Sequence, residues 1–357
     1  FQISISGNTS ITLGSSSPTA ISVSGNVYAL TVSLTGFASG QETLTITIPN
    51  NSIYDIAGNS LSTVINISLK NNLLVYYDFS NPNSYNGQAT SNSNNTVEDL
   101  SGNNYDGIIK GVDRVYYDSF QDAMYFTGNE EENKGIAIKT LNYVNNNSDQ
   151  LNELSLIARV KLKTNELSRG NDQRIIFTMD RSENFRFSVG SDYNTNAKGK
   201  LAFHFNVNGT VFDTHAVSQT LDLRDERWHT VGVTFKANVP GGLKYYVDGV
   251  LVYQHPGSFG PIGSENGGPG PRYGWVGNGS ESASEGNNTG PNHMFYGYMQ
   301  GVKYYNKQLS ANQLNIPETS PPNVILTDTE SDNIVKGSDT VTITATFNEA
   351  MSSSPTI

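Results

Sequence analysis

The sequence predicts an all-β chain, and three observations predict it. Among 357 residues the hydrophobic fraction is 36% and the charged fraction only 15%, so solubility rests on Asn, Ser, Thr and Gly, which favour turns and strand faces over helix interiors. Apolar residues recur at every second position, as in Phe1-Gln-Ile-Ser-Ile-Ser and Thr43-Leu-Thr-Ile-Thr-Ile-Pro49, the period that puts one face of a strand in a core. Helical periodicity is nearly absent, the one helix-like stretch being Ser310-Ala-Asn-Gln-Leu314 with Ser310 as its cap.

The same composition narrows function. A net charge of −11 with scattered Lys and Arg leaves no basic field for a phosphate backbone, so nucleic acid is not an expected partner. No apolar run approaches the roughly 20 residues of a membrane span, and no membrane insertion is expected. The absence of cysteine removes disulfides and thiolate chemistry together, so stability must come from apolar cores or from hard cations held by oxygen.

In chain order, residues 1–72 read as short strands, including Ala29–Leu34 and Thr43–Pro49, separated by Gly-Asn turns such as Ser6-Gly7-Asn8 and Ala57-Gly58-Asn59. A long β-rich unit follows over 73–316. Its expected strands are Leu73–Phe79, Ala123–Thr127, Leu154–Leu162, Ile175–Met179, Phe185–Val189, Leu201–Val207, Thr230–Phe235, Lys244–Val247, Val250–Gln254 and Tyr296–Tyr305. Val247-Asp-Gly-Val250 is an Asp-Gly pair between apolar runs, the signature of a type I′ hairpin. A Pro-rich linker at 317–322 leads to further strands at 323–357.

Motifs along the central unit resemble the laminin G-like family of concanavalin A-like sandwiches. They are Leu74-Val-Tyr-Tyr-Asp-Phe79, Asp99-Leu-Ser-Gly-Asn-Asn-Tyr-Asp-Gly107, Met124-Tyr-Phe-Thr-Gly128, the pair Arg227–Phe235 and Lys244–Val252, and Gly297–Ser310. The resemblance implies a central jelly-roll sandwich over 73–316. The flanks resemble bacterial Ig-like repeats: Ile48–Asn59 is similar to their closing strands and Val341–Met351 to their opening strands. That implies a C-terminal part of one Ig-like domain at 1–72 and the N-terminal strands of another at 323–357. Their expected partners are neighbouring Ig-like repeats, of the same chain or of another copy.

Relatives of this kind often hold a structural calcium, which takes six to eight oxygens. The resemblance carries that site onto Asp78, Asp99 and Gln300, with Gln300 standing where an Asp is common; the alternative for Asp99–Asp106 is an Asx turn capping its own backbone. The acidic run 128–133 and the tail acids Asp328, Glu330, Asp332, Asp339 and Glu349 read as solvated surface, with an interdomain calcium as the sharper alternative at the tail. For ligand binding the candidates are Arg272, Tyr273 and Trp275 in a Gly/Pro/Asn-rich stretch, an aromatic with polar neighbours suited to stacking on a sugar. Position 275 equally suits an apolar strand residue. Trp228 reads as core, and His229 shows no acidic, His or Cys companion.

Glycosidases on this sandwich need two carboxylates on one strand face, and the chain lacks their E-x-D-x-x-E pattern, so no catalysis is expected. The function that follows is an extracellular, non-catalytic adhesion or carbohydrate-binding module, recognising a glycan or surface polysaccharide, on Ig-like spacers of a bacterial surface protein. The alternative is a structural component of a virion or filament surface.

Overall fold

Alternating sequences pair into antiparallel sheets throughout the computed structural model. It describes residues 1–357 apart from 7–10, 19, 25–26, 37–41, 55–57, 69–71, 82–94, 129–133, 145–149, 166–171, 180–183, 192, 264–270, 280, 285–286, 290–293, 315–322, 329–341 and 349–357. Two compact units emerge, Phe1–Leu74 and Val75–Ile357.

The first unit holds Gln2–Ser6 (β1), Ile11–Leu13 (β2), Ala20–Ser24 (β3), Val27–Thr31 (β4), Leu34–Gly36 (β5), Thr43–Tyr54 (β6) and Ser60–Ser68 (β7). Strands β1, β6 and β7 form one sheet, while β2 pairs with β5 and β3 with β4. Ile3, Leu44, Ile46 and Ile48 are buried in phase, as the alternation requires. Two strand limits differ from expectation. The stretch Ala29–Leu34 is divided between β4 and β5, and β6 continues past Pro49 to Tyr54. Pro49 is tolerated because β1 pairs only as far as Thr47 and the β6–β7 register slips between Ile48 and Ile53, so the missing N–H removes no ladder bond.

The second unit begins with Leu73–Asp78 (β8), within which the division between units falls. There follow Thr96–Val97 (β9), Gly107–Lys110 (β10), Val115–Asp118 (β11), Ala123–Thr127 (β12), Gly135–Val144 (β13), Glu153–Leu162 (β14), Arg174–Met179 (β15), Phe185–Val189 (β16) and Leu201–Val207 (β17). The remainder are Thr210–His215 (β18), Trp228–Lys236 (β19), Lys244–Val247 (β20), Val250–Gln254 (β21), Pro271–Val276 (β22), Glu281–Ser284 (β23), Asn287–Thr289 (β24), Tyr296–Tyr305 (β25), Val324–Asp328 (β26) and Ile343–Phe347 (β27).

These strands make a jelly-roll sandwich. One sheet runs β18-β17-β16-β15-β22-β13-β10-β9 and the other β11-β12-β25-β14-β19-β20-β21, with β8 also pairing β25. Aromatic side chains lock the two together: Tyr304 of β25 lies 5.3 Å from Phe177 and 5.8 Å from Phe185, and Phe205 lies 5.6 Å from Phe235. Each such ring, buried between the layers, contributes on the order of 1.5–3 kcal/mol by transfer from water.

The turn chemistry falls where the sequence places it. Asp248 and Gly249 have φ of 49° and 76° in the β20–β21 hairpin, and Ser310 caps the 3-10 turn Ala311–Gln313 in a capping box with Gln313. Strands β26 and β27 pair with each other, and Asn323 beside them donates to the carbonyls of Ser119 and Phe120. Among the described residues no helix is long and apolar enough to cross a membrane.

Candidate functional site

Because Phe177 packs against the opposite sheet and is in register with Val276, the neighbouring pair Thr178 and Trp275 must face outward. Register carries that outer row across seven strands: Ile108, Ala137, Trp275, Thr178, Arg186, His204 and Asp213. Its middle is sealed. Trp275, Thr178 and Arg186 are each 0% exposed, so no face of the Trp275 indole is open to a sugar. The stacking role expected of Trp275 therefore gives way to packing. Tyr273, two residues away on the same side, is half-buried, and the side chain of Arg272 lies outside the described residues. At the row's far end Arg186 contacts His204 Nδ1 at 3.3 Å, Ser191 Oγ donates to Asp213 at 2.6 Å, and exposed Tyr193 lies 5.4 Å from His204.

The outer face of the second sheet is different. Leu154 and Leu156 are in register with Phe235 and Val233, which face the core, so Lys161 on the opposite parity points outward with its partner Trp228. Here too register builds a row, Tyr116, Tyr125, Tyr298, Lys161 and Trp228, one residue from each of β11, β12, β25, β14 and β19. Every member is half-buried. Ring centroids are 5.4 Å apart for Tyr116–Tyr125, 4.7 Å for Tyr125–Tyr298 and 6.5 Å for Tyr298–Trp228. At the usual strand spacing the row is about 19 Å long.

Cations accompany these rings. The Arg159 guanidinium lies 5.6 Å from the Trp228 centroid and Lys163 Nζ 5.7 Å from that of Tyr298, distances at which ring quadrupoles attract positive charge. Burial pushes the Tyr298 hydroxyl up to about 12, with nearby Asp118 adding to it, so the ring stays neutral at physiological pH. At the Trp228 end a cleft of about 370 Å³ is lined by Arg159, Lys161, Glu226, Arg227, Trp228, His229, Phe347 and Asn348. Lys161 Nζ donates to the carbonyl of Asn348 at 3.2 Å and to Gln121 Oε1 at 3.0 Å, which ties the β26–β27 end of the chain to the cleft wall.

Two further expectations are corrected here. Trp228 is not core, because it stands one residue out of phase with Val231, Val233 and Phe235. His229 is in phase with them, is 7% exposed and has two acidic companions: Nδ1 meets Asp248 at 2.8 Å and Nε2 meets Asp225 at 3.2 Å. Since Asp248 Oδ1 also accepts from Thr230 N at 2.8 Å, the histidine staples the hairpin turn to the start of β19.

The residues carried over for calcium do share one corner. Phe79 N donates to Gln300 O at 2.8 Å, and Tyr76 N donates to Asp99 Oδ1 at 2.9 Å. Their side chains, however, are engaged elsewhere. Asp99 also accepts from Ser101 N, Ser101 Oγ and Tyr105 N, at 3.0, 2.6 and 3.1 Å, and Asp78 accepts from Ser80 N and Oγ. Gln300 is the extra residue of a bulge between Arg159 and Val160, and its Oε1 accepts from Arg159 Nε at 2.7 Å. A guanidinium on the third ligand and an Asx-turn carboxylate are a poor fit to a cation needing six or more oxygens, and no group of three or more His, Asp or Glu gathers for an ion among the described residues. The 129–133 acids, Glu330, Asp332, Asp339, Glu349 and the Asp328 side chain lie outside the described residues.

Comparison with known proteins matches part of the chain to a family model. Residues 139–315 match the family model described as the concanavalin A-like lectin/glucanases superfamily. A search of curated proteins finds no match. Among solved structures, the binding domain of Paraclostridial Mosquitocidal Protein 1 is 13% identical with a TM-score of 0.43, covering 68% of this chain and 51% of its own. Domain 4 of AbnA, an extracellular GH43 arabinanase of Geobacillus stearothermophilus solved with arabinotriose, is 17% identical with a TM-score of 0.41, covering 68% and 96%. Trypanosoma rangeli sialidase with sialic acid is 11% identical with a TM-score of 0.39, covering 68% and 32%. The chain thus spans about half the length of the toxin binding domain it matches.

Proposed function

We propose that the central sandwich is a non-catalytic carbohydrate-binding module whose glycan lies along the Tyr116–Tyr125–Tyr298–Trp228 row. The observation that carries this reading is the row itself: four half-buried aromatic rings in straight register on an outer sheet face, where an amphipathic ring offers an apolar face and a polar edge. The lectin/glucanases family model matched by residues 139–315 supports the carbohydrate part of that reading. At the cleft Glu226 is the single carboxylate among the described lining residues, and it faces Lys163 Nζ at 3.6 Å.

In the wider protein this module belongs outside the cell, on Ig-like spacers of a bacterial surface adhesin, with 1–72 and 323–357 as parts of such spacers. The resemblance of Ile48–Asn59 and Val341–Met351 to strands of bacterial Ig-like repeats supports that setting. The test is a glycan array run with the intact chain and with Trp228→Ala. Binding to a restricted set of glycans that the substitution abolishes supports the reading; an array without signal, or a signal indifferent to Trp228, defeats it.

A further inference from the structure

Charge on this molecule is distributed against its average. The chain as a whole carries −11, yet the cleft at the Trp228 end presents Arg159, Lys161 and Arg227 against the one carboxylate of Glu226. Lys163 holds that carboxylate at 3.6 Å. The next acid along the row, Asp118, keeps its negative charge while its Oδ1 accepts from Phe120 N and Gln121 N at 2.9 and 3.1 Å, so the cationic surplus lies at the Trp228 end.

The placement of these cations is as telling as their number. Lys161 is itself a member of the row, between Tyr298 and Trp228, so a polymer stacked along the rings crosses an ammonium group before it reaches the tryptophan. Arg159 lies over the Trp228 ring at 5.6 Å, Lys163 over Tyr298 at 5.7 Å, and Arg227 is exposed at the cleft. A neutral sugar would use them only as hydrogen-bond donors. An anionic ring substituent beside a stacked sugar meets a cation at each aromatic of this half of the row, and electrostatic complementarity of that sort sets specificity and encounter rate.

Resting on the carbohydrate reading above, we infer that the row selects an anionic glycan, a polysaccharide whose rings carry carboxylate or sulfate groups. Aromatic stacking supplies register along the chain, and Arg159, Lys161 and Arg227 supply the discrimination against neutral sugars.

The experiment uses the intact chain and four probes titrated calorimetrically at 50 and 500 mM salt: a uronic-acid oligosaccharide, a neutral oligosaccharide of the same length, a sulfated dextran and a single-stranded oligonucleotide. An anionic glycan should bind at least tenfold tighter than the neutral one at low salt, with the gap closing at high salt as screening takes hold. The uronic-acid and sulfated arms show which anion is preferred. Arg227→Gln, on an exposed side chain, should narrow that gap by weakening the anionic arm more than the neutral one, and Lys161→Gln should narrow it from inside the row. Trp228→Ala should weaken both kinds of sugar alike. Equal affinity for neutral and anionic sugars, unmoved by Arg227→Gln, overturns the inference and leaves the carbohydrate reading standing. An oligonucleotide bound as tightly as the best sugar overturns it too, since charge alone is then being read. If no sugar binds under any condition, the carbohydrate reading falls and this inference with it.

Discussion

Trp275 and Trp228 occupy comparable positions, one on the outer face of each sheet and each within a row that register carries across its strands, yet one is wholly sealed and the other half open. On the first sheet β15, β16 and most of β17 are buried at every position, so both faces exclude water and the outer row behaves as a second core. On the second sheet β14 alternates between buried and half-buried toward its end, which leaves Lys161 and its aromatic neighbours within reach of a ligand. An aromatic among polar residues is thus not by itself a binding site; the accessibility of its face decides.

The largest expected effect breaks the comparison at its sealed end. Trp275→Ala removes a fully buried indole and should cost about 3–5 kcal/mol of stability, the usual range for large-to-small substitution in a core. Urea unfolding measures it. A variant that unfolds like the wild type but binds glycan weakly would show that Trp275 is a ligand residue after all.

A second effect tests how dry the second sheet's outer face becomes away from the row. Lys303, in register with Ile157 and 4.4 Å from the Tyr76 ring, is lowered to about 8 by burial, with Asp78 acting partly against it. In the unfolded chain the ammonium titrates near its ordinary 10.5, so between those values the unfolded state holds the extra proton and stability rises with pH. The destabilisation is complete below pH 8 and gone above 10.5. Its size is on the order of 3 kcal/mol. Lys303→Met should flatten this rise over pH 8–10; a slope identical in both proteins would mean that the ammonium is hydrated in the folded state.

Much of this contrast is legible in the amino-acid sequence. Ten strands of the central unit and the type I′ hairpin follow from apolar runs and turn residues, and strands with one wet face, such as β8 and β12, also print their parity in the chain. The parity of β19 in fact assigns its first two residues: Val231, Val233 and Phe235 are in phase with His229 and out of phase with Trp228, so the outward tryptophan is readable and is masked only by the resemblance, which implies a core strand there. Trp275 is not readable in this way. In β22 Gly274, Trp275 and Val276 are buried on both faces, and a strand covered on both sides carries no alternation to decode. Nor does one sequence reveal the Tyr116–Tyr125–Tyr298 row, since it depends on pairing between strands far apart in the chain.

At the open end, Trp228→Ala should weaken glycan binding roughly tenfold, about 1.4 kcal/mol, with a stability loss under half of that at Trp275. The comparison of the two alanine variants is sharper than either alone: one should lose stability and keep its ligand affinity, the other the reverse. Should both lose stability to the same extent, the two faces are equally buried in solution and the ligand lies elsewhere.

The smallest expected effect, that of calcium, concerns the corner that holds neither tryptophan. Asp99 accepts four hydrogen bonds from Tyr76 N, Ser101 N, Ser101 Oγ and Tyr105 N, and Asp106 caps Asp99 N at 2.8 Å, so the loop is held by its own donors. An ion bound to the folded state alone would stabilise it by mass action, and removing that ion would lower the melting temperature. The hydrogen-bond inventory predicts the contrary: melts in calcium and in chelator should coincide, and Asp99→Asn should destabilise by about 1–3 kcal/mol through lost charge-assisted bonds in both buffers alike. A melt that falls by several degrees in chelator, with Asp99→Asn abolishing the difference, would return Asp78, Asp99 and Gln300 to the role of calcium ligands and require Arg159 to release Gln300 when the ion arrives.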